Sequence, residues 1–240
     1  MMPARTAPHD RGVDIIYATG IDGAHGAHGT VVVIDVLRAF TVSAYAMAGG
    51  ARECRLVRTI DEARALSART PGAVISAEEN GMPVAGIAIS NSPTEIVSID
   101  LKDRVLIQRT SAGTQAAAAI AGGDIFAASL VVARATVQAC LLREPKIVTL
   151  LASADHPEDH ACAQYMAQLI KGEEPDLERL LQPLKESDRY RQLAGGAWPG
   201  FPPSDLELSL KPDRFDFAMP LTRQHGYLQL NGVKTDAALR

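Results

Sequence analysis

The stretch Val31-Val32-Val33-Ile34-Asp35-Val36-Leu37-Arg38-Ala39 decides the fold. Four β-branched apolar residues run straight into an aspartate, and an arginine follows three positions later. A fully apolar run of this length is typical of a strand buried on both faces, as in a parallel sheet with helices on each side. An acid at the carboxyl end of such a strand lies where open α/β sheets bind ligands. Asp35 and Arg38 are therefore candidate catalytic residues. The alternative is an aspartate that caps the next helix and an arginine that pairs with it.

The alternation of strand and helix patterns continues through most of the chain. It predicts strands at residues 13–18, 31–34, 52–57, 72–77, 105–108, 125–128 and 147–151, and helices at residues 40–48, 59–69, 114–121, 136–142 and 159–170. Residues 20–29, rich in glycine and histidine, are expected to form a loop. This βαβ pattern predicts an α/β fold with a largely parallel sheet.

From residue 173 the pattern becomes irregular. Residues 177–193 are expected to be helical with a break near Pro183, residues 195–203 to form a Gly/Pro-rich loop, and residues 214–219 and 227–230 to form late strands. A segment of this kind is expected to pack on the alternating core of residues 1–172. Residues 1–240 would then form a single domain.

Composition narrows the classes of partner and the compartment. The chain has 240 residues, 47% of them hydrophobic, and a formal net charge of −4, so nothing favours nucleic acid or an anionic membrane as a partner. No apolar run approaches the ~20 residues that span a bilayer. Three scattered cysteines, Cys54, Cys140 and Cys162, are typical of reduced thiols in a cytoplasmic protein. The sequence leaves open whether the protein forms a homo-oligomer.

Polar residues gather at the predicted strand ends, and these ends meet at one edge of a parallel sheet. Carboxylates there suit Mg²⁺, which also bridges phosphate oxygens, and hydroxyls with helix N-termini suit a phosphate. We therefore expect a site for a divalent cation and a small phosphorylated acid. The predicted metal ligands are Asp35, Glu78 and Asp159, and the predicted catalytic residues are Asp35 and Arg38. The predicted substrate-binding residues are Asn91, Arg109, Thr110, Ser111, Thr114 and Ser129.

Each of these motifs also has a structural interpretation. Residues 109–114 could be a strand-to-helix turn with Thr114 as N-cap, although anion binding is favoured because an arginine starts the segment and a glycine permits close approach. Ser92-Pro93-Thr94-Glu95 is a capping box, which leaves Asn91 as the candidate in that segment. Asp155-His156-Pro157-Glu158 also has capping-box spacing, and acids in a first turn are favoured by the helix dipole.

The motifs, taken in order, resemble one family. Val33-Ile34-Asp35-Val36-Leu37-Arg38-Ala39, Asn91-Ser92-Pro93-x-Glu95, Thr110-Ser111-Ala112-Gly113-Thr114 and Glu158-Asp159 are similar to segments of the 2-phosphosulfolactate phosphatases, and so is the C-terminal Asp213-Arg214-Phe215-Asp216-Phe217. The resemblance implies a three-layer α/β/α fold. It also implies a Mg²⁺-dependent hydrolase that removes phosphate from 2-phospho-3-sulfolactate, a step of coenzyme M biosynthesis.

The chain departs from the family pattern at several positions. Ala77-Glu78-Glu79 stands for Gly-Glu-Arg, Ala112 for asparagine, Val132 for asparagine, and Leu151-Ala152-Ser153 for Cys-Ala-Gly. The charge reversal at Glu79 predicts a substrate that carries less negative charge than phosphosulfolactate or has a different second head group. The departures also keep open a diverged, non-catalytic member that binds a small anion. A haloacid dehalogenase-type phosphatase is set aside, because Leu37 stands where that class has a second aspartate.

Overall fold

The computed structural model of the protein describes residues 12–235, so the two ends of the expected 1–240 domain lie outside it. The strands are β1 (Asp14–Thr19), β2 (Thr30–Ile34), β3 (Glu53–Leu56), β4 (Val74–Glu79), β5 (Met82–Pro83), β6 (Val105–Arg109), β7 (Ile125–Ala128), β8 (Ile147–Ala152), β9 (Phe217–Gln224), β10 (Tyr227–Leu230) and β11 (Val233–Lys234). The helices are α1 (Gly20–Gly26), α2 (Ala39–Ala48), α3 (Ile60–Ala68), α4 (Pro93–Ile96), α5 (Gly113–Ala119), α6 (Ala133–Leu141), α7 (Pro157–Ile170), α8 (Leu177–Leu180), α9 (Gln182–Lys185), α10 (Asp188–Ala194) and α11 (Ser204–Ser209).

These strands form one sheet with the order β1-β8-β2-β7-β9-β10-β3-β6-β4-β5, and β11 pairs with β9. Parallel pairing joins β1, β8, β2 and β7 into one block and β3, β6 and β4 into another. The C-terminal hairpin β9–β10 lies between the two blocks and pairs antiparallel with β7 and with β3. The predicted α/β class, with helices on both faces of a mostly parallel sheet, is confirmed.

Twist brings the carboxyl ends of the two blocks together. Three antiparallel pairings separate the blocks, so neighbouring strands of the two blocks run in opposite directions. Each step in a sheet adds roughly 20–25° of twist, and the six steps from β2 to β4 therefore accumulate about 120–150°. This rotation offsets most of the reversal, and we attribute to it the meeting of residues that follow β2 and β8 with residues that follow β4 and β6.

Strand β2 is buried on both faces, as its sequence predicts. Val31 and Val33 pack in a core with α2 and α5, whereas Val32 and Ile34 pack in a second core with α6 and α7. All four side chains are at most 1% exposed. A third cluster lies between the second block and α3. The three layers therefore follow from the alternation of side chains along each strand.

Several local predictions need correction. Residues 20–29 were expected to form a loop, but Gly20–Gly26 forms α1, which buries Ala24. Gly23 suits this packing because a Cβ there would lie 3.1 Å from the Cβ of Ala18. The spacing Asp155–Glu158 does not form a capping box: the N-cap of α7 is His156, without a side-chain cap, and Asp155 pairs with His160 instead.

The capping box at Thr59 is confirmed. Its side chain accepts from the backbone N–H of Glu62, and Glu62 accepts from the backbone of Thr59. At Ser92 half of the predicted box is present. Ser92 accepts from Glu95 N–H, but the Glu95 carboxylate accepts from Ser90.

The C-terminal part is more closely integrated than expected. Its late strand begins and ends later than predicted, at Phe217–Gln224, and the hairpin it forms with β10 lies inside the sheet rather than on the core surface. The predicted helical stretch 177–193 is divided among α8, α9 and α10. Among residues 12–235 no helix is long and apolar enough to cross a membrane.

Candidate active site

A cavity of about 280 Å³ lies where the carboxyl ends of the two strand blocks meet. Segments that follow β2, β4, β6 and β8 form one side of it. The opposite side comes from the C-terminal part, through α10 and the loop before α11. Pockets for drug-sized ligands usually measure about 300–1,000 Å³, so this cavity suits a small ligand.

Two buried carboxylates, Asp35 and Asp159, lie side by side in the cavity wall. Oδ1 of Asp35 accepts from the backbone N–H of Ala39 at 2.9 Å, and Oδ1 of Asp159 accepts from the backbone N–H of Val36 at 2.8 Å. The hydroxyl of Ser153 lies 3.1 Å from Oδ2 of Asp35 and 3.3 Å from Oδ2 of Asp159. The second oxygens of the two acids therefore face a common point.

The acid pair has the electrostatics of a cation site. Burial, then the charges of Glu78 and Glu158, raise the pKa of Asp35 to about 6. Burial, then the charge of Asp35, raise the pKa of Asp159 well above its usual range. Within residues 12–235 neither carboxylate forms an ion pair with a basic side chain. Because two close buried anions need compensation, a divalent cation fits the donor set, and Mg²⁺ is commonly held by one or two carboxylates with waters.

Glu78 lines the same cavity but is occupied by protein contacts. Its carboxylate accepts from the backbone N–H groups of Gly81 and Ser111 and from the Ser111 hydroxyl. In the described part of the chain no three His, Cys, Asp or Glu side chains are grouped closely enough to hold a metal ion. The three acids predicted as metal ligands thus line one cavity, but Glu78 is not grouped with the acid pair and instead fixes the loop after β6.

Arg38 enters the cavity from the start of α2, after a cis peptide bond with Leu37. Its Nη1 donates to Oδ2 of Asp205 at 2.9 Å and to the carbonyl of Gly200, and its guanidinium lies 4.4 Å from the ring centroid of Phe201. Asp205 is fully buried and also accepts from Ser92 Oγ at 2.8 Å. Burial lowers the pKa of Arg38, but a guanidinium remains charged.

The predicted anion-binding segment 109–114 reaches the cavity only in part. Ser111 lines it, together with Ala112. Arg109 instead donates to the carbonyls of Glu78 and Arg58. The Thr110 and Thr114 groups bond to each other, and their side chains are 1% exposed. The polar groups of Arg109, Thr110 and Thr114, which the sequence suggested for binding a phosphate, therefore hydrogen-bond to neighbouring protein groups instead.

The two remaining predicted substrate-binding residues, Asn91 and Ser129, differ in whether they line the cavity. Asn91 lines the cavity, and its Oδ1 accepts from Gln108 Nε2 at 3.1 Å. Ser129 is fully buried beyond the cavity lining, and its hydroxyl has no hydrogen-bond partner in the described structure. Ser129 directly follows β7, which lies between β2 and β9, and does not line the cavity.

A family model for 2-phosphosulpholactate phosphatase matches residues 18–196. The chain belongs to this family. The probable 2-phosphosulfolactate phosphatase of Bacillus subtilis (strain 168) is 40% identical over 147 residues, which cover 59% of this chain and 64% of the relative. The corresponding protein of Carboxydothermus hydrogenoformans is 34% identical over 144 residues, 58% of this chain and 60% of the relative. That of Thermoplasma acidophilum is 27% identical over 186 residues, 76% and 81%. The chain thus spans about three fifths of the first two relatives.

The matched range of the 2-phosphosulpholactate phosphatase family contains the acid pair and Arg38, whereas part of the C-terminal wall lies beyond it. The wall residues that follow residue 196 are Trp198 and Phe201. A Cβ on Gly81 would lie 3.2 Å from the Trp198 ring, so the loop after β4 and the C-terminal loop touch.

Sequence reasoning missed the C-terminal wall and one basic residue within the match, Arg189. It lies near His156, whose pKa is lowered below its usual value by burial and then by the charge of Arg189. A lone tryptophan in a Gly/Pro-rich loop was the one signal for this wall, because an aromatic side chain needs a surface to cover.

Together the cavity combines an anionic end suited to a cation, a guanidinium suited to an anion and an apolar wall. These groups can bind a cation and an anion next to each other.

Proposed function

We propose that the protein is a Mg²⁺-dependent phosphatase that hydrolyses 2-phosphosulfolactate, or a related small phosphorylated acid, to the hydroxy acid and phosphate. One observation carries the proposal: Asp35 and Asp159 are buried together in a small cavity beside Arg38, without a basic side chain paired to either acid in the described residues. Family membership supports the phosphatase chemistry, and the names of the relatives support the substrate class.

The acid pair would hold the metal, with the two Oδ2 atoms that now face Ser153 as the donors. A Mg²⁺ ion bound there would polarise a phosphoryl oxygen and offset the charge of the substrate. Asp35 either remains a metal ligand or attacks phosphorus, and both roles require its ionised carboxylate. The backbone N–H of Ala39 fixes the orientation of that carboxylate.

Arg38 would bind the phosphoryl oxygens. Its Nη1 is used by Gly200 and Asp205, while its Nε and Nη2 make no hydrogen bond within residues 12–235. A guanidinium presents donors in a planar fork that meets two oxygens of one anion. Asp205 holds that fork in place. The fork would stabilise the negative charge that grows on the phosphoryl oxygens in the transition state.

We also propose a cytoplasmic location, because Cys54, Cys140 and Cys162 are free and buried. We further propose that the reaction belongs to coenzyme M biosynthesis, as the resemblance to the 2-phosphosulfolactate phosphatases implies.

The test is phosphate release from 2-phosphosulfolactate, 2-phospholactate and 2-phosphoglycerate, with Mg²⁺ and after chelation. Asp35→Asn keeps the shape and removes the charge, so kcat should fall by roughly 10²–10³ or more. Asp61→Asn is the matched control, since Asp61 is 96% exposed on α3. Wild-type turnover by Asp35→Asn, or turnover that chelation leaves unchanged, would refute the proposal. Binding of these compounds without any turnover would favour the non-catalytic alternative.

A further inference from the structure

The cavity has a second basic side chain, Arg189, which comes from α10 in the C-terminal part. Among the described residues that line the cavity, Arg38 and Arg189 are the arginines, and no lysine joins them. Arg109, the second cation that the sequence suggested, is bound to backbone carbonyls and to Glu79 outside the cavity.

Arg189 is held along one edge of its guanidinium. Its Nε and Nη2 donate to the same oxygen, Oε1 of Glu158, at 3.1 and 2.9 Å. Glu158 is 1% exposed in its side chain, whereas Arg189 is 23% exposed. A guanidinium has five N–H donors, and these two bonds leave three of them without a partner in residues 12–235. Arg189 is thus positioned rigidly while most of its donors remain available.

Neutralisation of the Glu158 charge by Arg189 does not by itself explain how the two side chains contact each other. One oxygen of Glu158 takes both bonds from Arg189, and the other, Oε2, is buried without any hydrogen-bond partner in the described structure. A guanidinium that served only to compensate the acid would be expected to meet both oxygens side by side. The one-sided contact leaves the Nη1 end of Arg189 free at the cavity wall.

We propose that Arg189 binds the second acid group of the substrate, a carboxylate or a sulfonate, and thereby selects phosphorylated acids over phosphorylated neutral alcohols. This inference rests on the proposed function, which assigns Arg38 and the acid pair to the phosphoryl end. An additional anion taken into a cavity with three acidic side chains needs its own cation, because an unpaired buried charge is strongly unfavourable. Arg189 supplies that cation.

The experiment compares two substrates that differ only in the second group. 2-Phospholactate carries a carboxylate where isopropyl phosphate carries a methyl group. For wild type we expect kcat/KM to be higher for 2-phospholactate. Arg189→Gln should lower kcat/KM for 2-phospholactate by about 10–100-fold, as expected for a lost charged hydrogen bond, and leave isopropyl phosphate within about twofold.

Two further variants keep the test decisive if Arg189→Gln folds poorly with Glu158 unpaired. Arg189→Lys retains a charge beside Glu158 but loses the fork, and should give an intermediate loss for 2-phospholactate alone. Arg191→Gln is the control, because Arg191 lies on the same helix, is 66% exposed and pairs with Asp188. It should leave both substrates unchanged. Equal losses on both substrates, or no loss on either, would overturn the proposal.

A binding measurement separates this proposal from the proposed function. If wild type hydrolyses neither these two compounds nor 2-phosphosulfolactate and 2-phosphoglycerate, the phosphatase proposal fails, and calorimetric titration of 2-phospholactate and isopropyl phosphate in Mg²⁺ still decides the role of Arg189. Tighter binding of 2-phospholactate that Arg189→Gln abolishes would support it. Equal affinity for the two compounds, or binding of neither, would overturn it.

Discussion

The substitution Gly113→Ala tests the position of Asp35 without touching its chemistry. Gly113 begins α5, and a Cβ built there would lie 2.6 Å from Oδ2 of Asp35 and 2.9 Å from the Cβ of Ala39. An ordinary contact begins at 3.4 Å, so the carboxylate or the helix must move by about 0.8 Å. The backbone of Gly113 does not adopt a positive φ, so the substitution acts through this contact alone.

The expected effect on stability is small and the effect on activity is large. Overpacking costs about 1–3 kcal/mol, while alanine in a helix is favoured over glycine by about 1 kcal/mol, which leaves roughly 0–2 kcal/mol of destabilisation. A catalytic group displaced by about 1 Å can lose about 100-fold in rate. We therefore expect kcat to fall about 10–100-fold in a protein that unfolds only a few degrees earlier.

The assay measures phosphate release in Mg²⁺ together with thermal unfolding. Gly122→Ala is the matched control, because a Cβ at this exposed position meets nothing within 4 Å. It should retain wild-type kcat. If Gly113→Ala also retains wild-type kcat, Asp35 does not need the position in which the structure holds it, and its assignment as metal ligand or nucleophile is wrong.

Three further predictions follow from charge and capping. The folded pKa of Asp35, raised from 3.8 to about 6, means that the metal-free folded protein binds more protons than the unfolded chain in that window, so the melting temperature should fall as pH rises from 4 to 6 and recover on adding Mg²⁺; Asp35→Asn should weaken both effects, and the remaining pH effect should come from Asp159, whose pKa is also raised by burial. Asp205→Asn leaves Arg38 buried without its anion and should cost about 3–5 kcal/mol in urea unfolding, whereas Asp188→Asn, in an exposed pair, should cost less than about 1 kcal/mol. Thr59→Ala removes a helix cap and should cost about 1 kcal/mol without changing kcat.

The parts of the fold that the sequence predicted are those that short-range patterns determine. The apolar run of residues 31–34 predicted a strand buried on both faces, and the structure places it between two cores. Asp35 directly after β2, Glu78 near the carboxyl end of β4 and Asp159 in the first turn of α7 line one cavity, as the sequence predicted. Parallel strand direction alone does not account for this meeting, because β2 and β4 belong to blocks that run in opposite directions, and we attribute it to the twist of the sheet.

The features of the fold and of the site that the sequence did not predict depend on contacts between residues far apart in the chain. Arg38 and Asp205 are separated by 167 positions, and nothing in the local pattern around either residue indicates the other. The insertion of β9–β10 between two parallel blocks is equally remote, because it depends on which strand edges remain unpaired after the rest of the sheet has formed. Hydrophobic periodicity predicts which face of a helix or strand is buried, but it does not predict which other helices or strands pack against that face.

The charge at Glu79 shows how one strand residue can mislead. Glu78 and Glu79 are adjacent in β4, and adjacent strand residues face opposite sides of the sheet. Glu78 lines the cavity, whereas Glu79 is 55% exposed and lies 3.7 Å from Arg109 Nη2. The predicted weakening of a second anion by Glu79 is therefore unsupported, and this reversal gives no reason to expect a less charged substrate.

The departures that can alter the chemistry are those that touch the cavity. Val132 and Leu151 are fully buried in the core and do not line it, so they act on packing. Ala112 lines the cavity with an apolar methyl group, and Ser153 places a hydroxyl between the two acids, where the family pattern has glycine. A hydroxyl there can hold the carboxylates apart from each other before a cation arrives and can itself face the metal. Under the proposed function, metal affinity and the fit of the phosphoryl group are therefore the properties that these departures can alter.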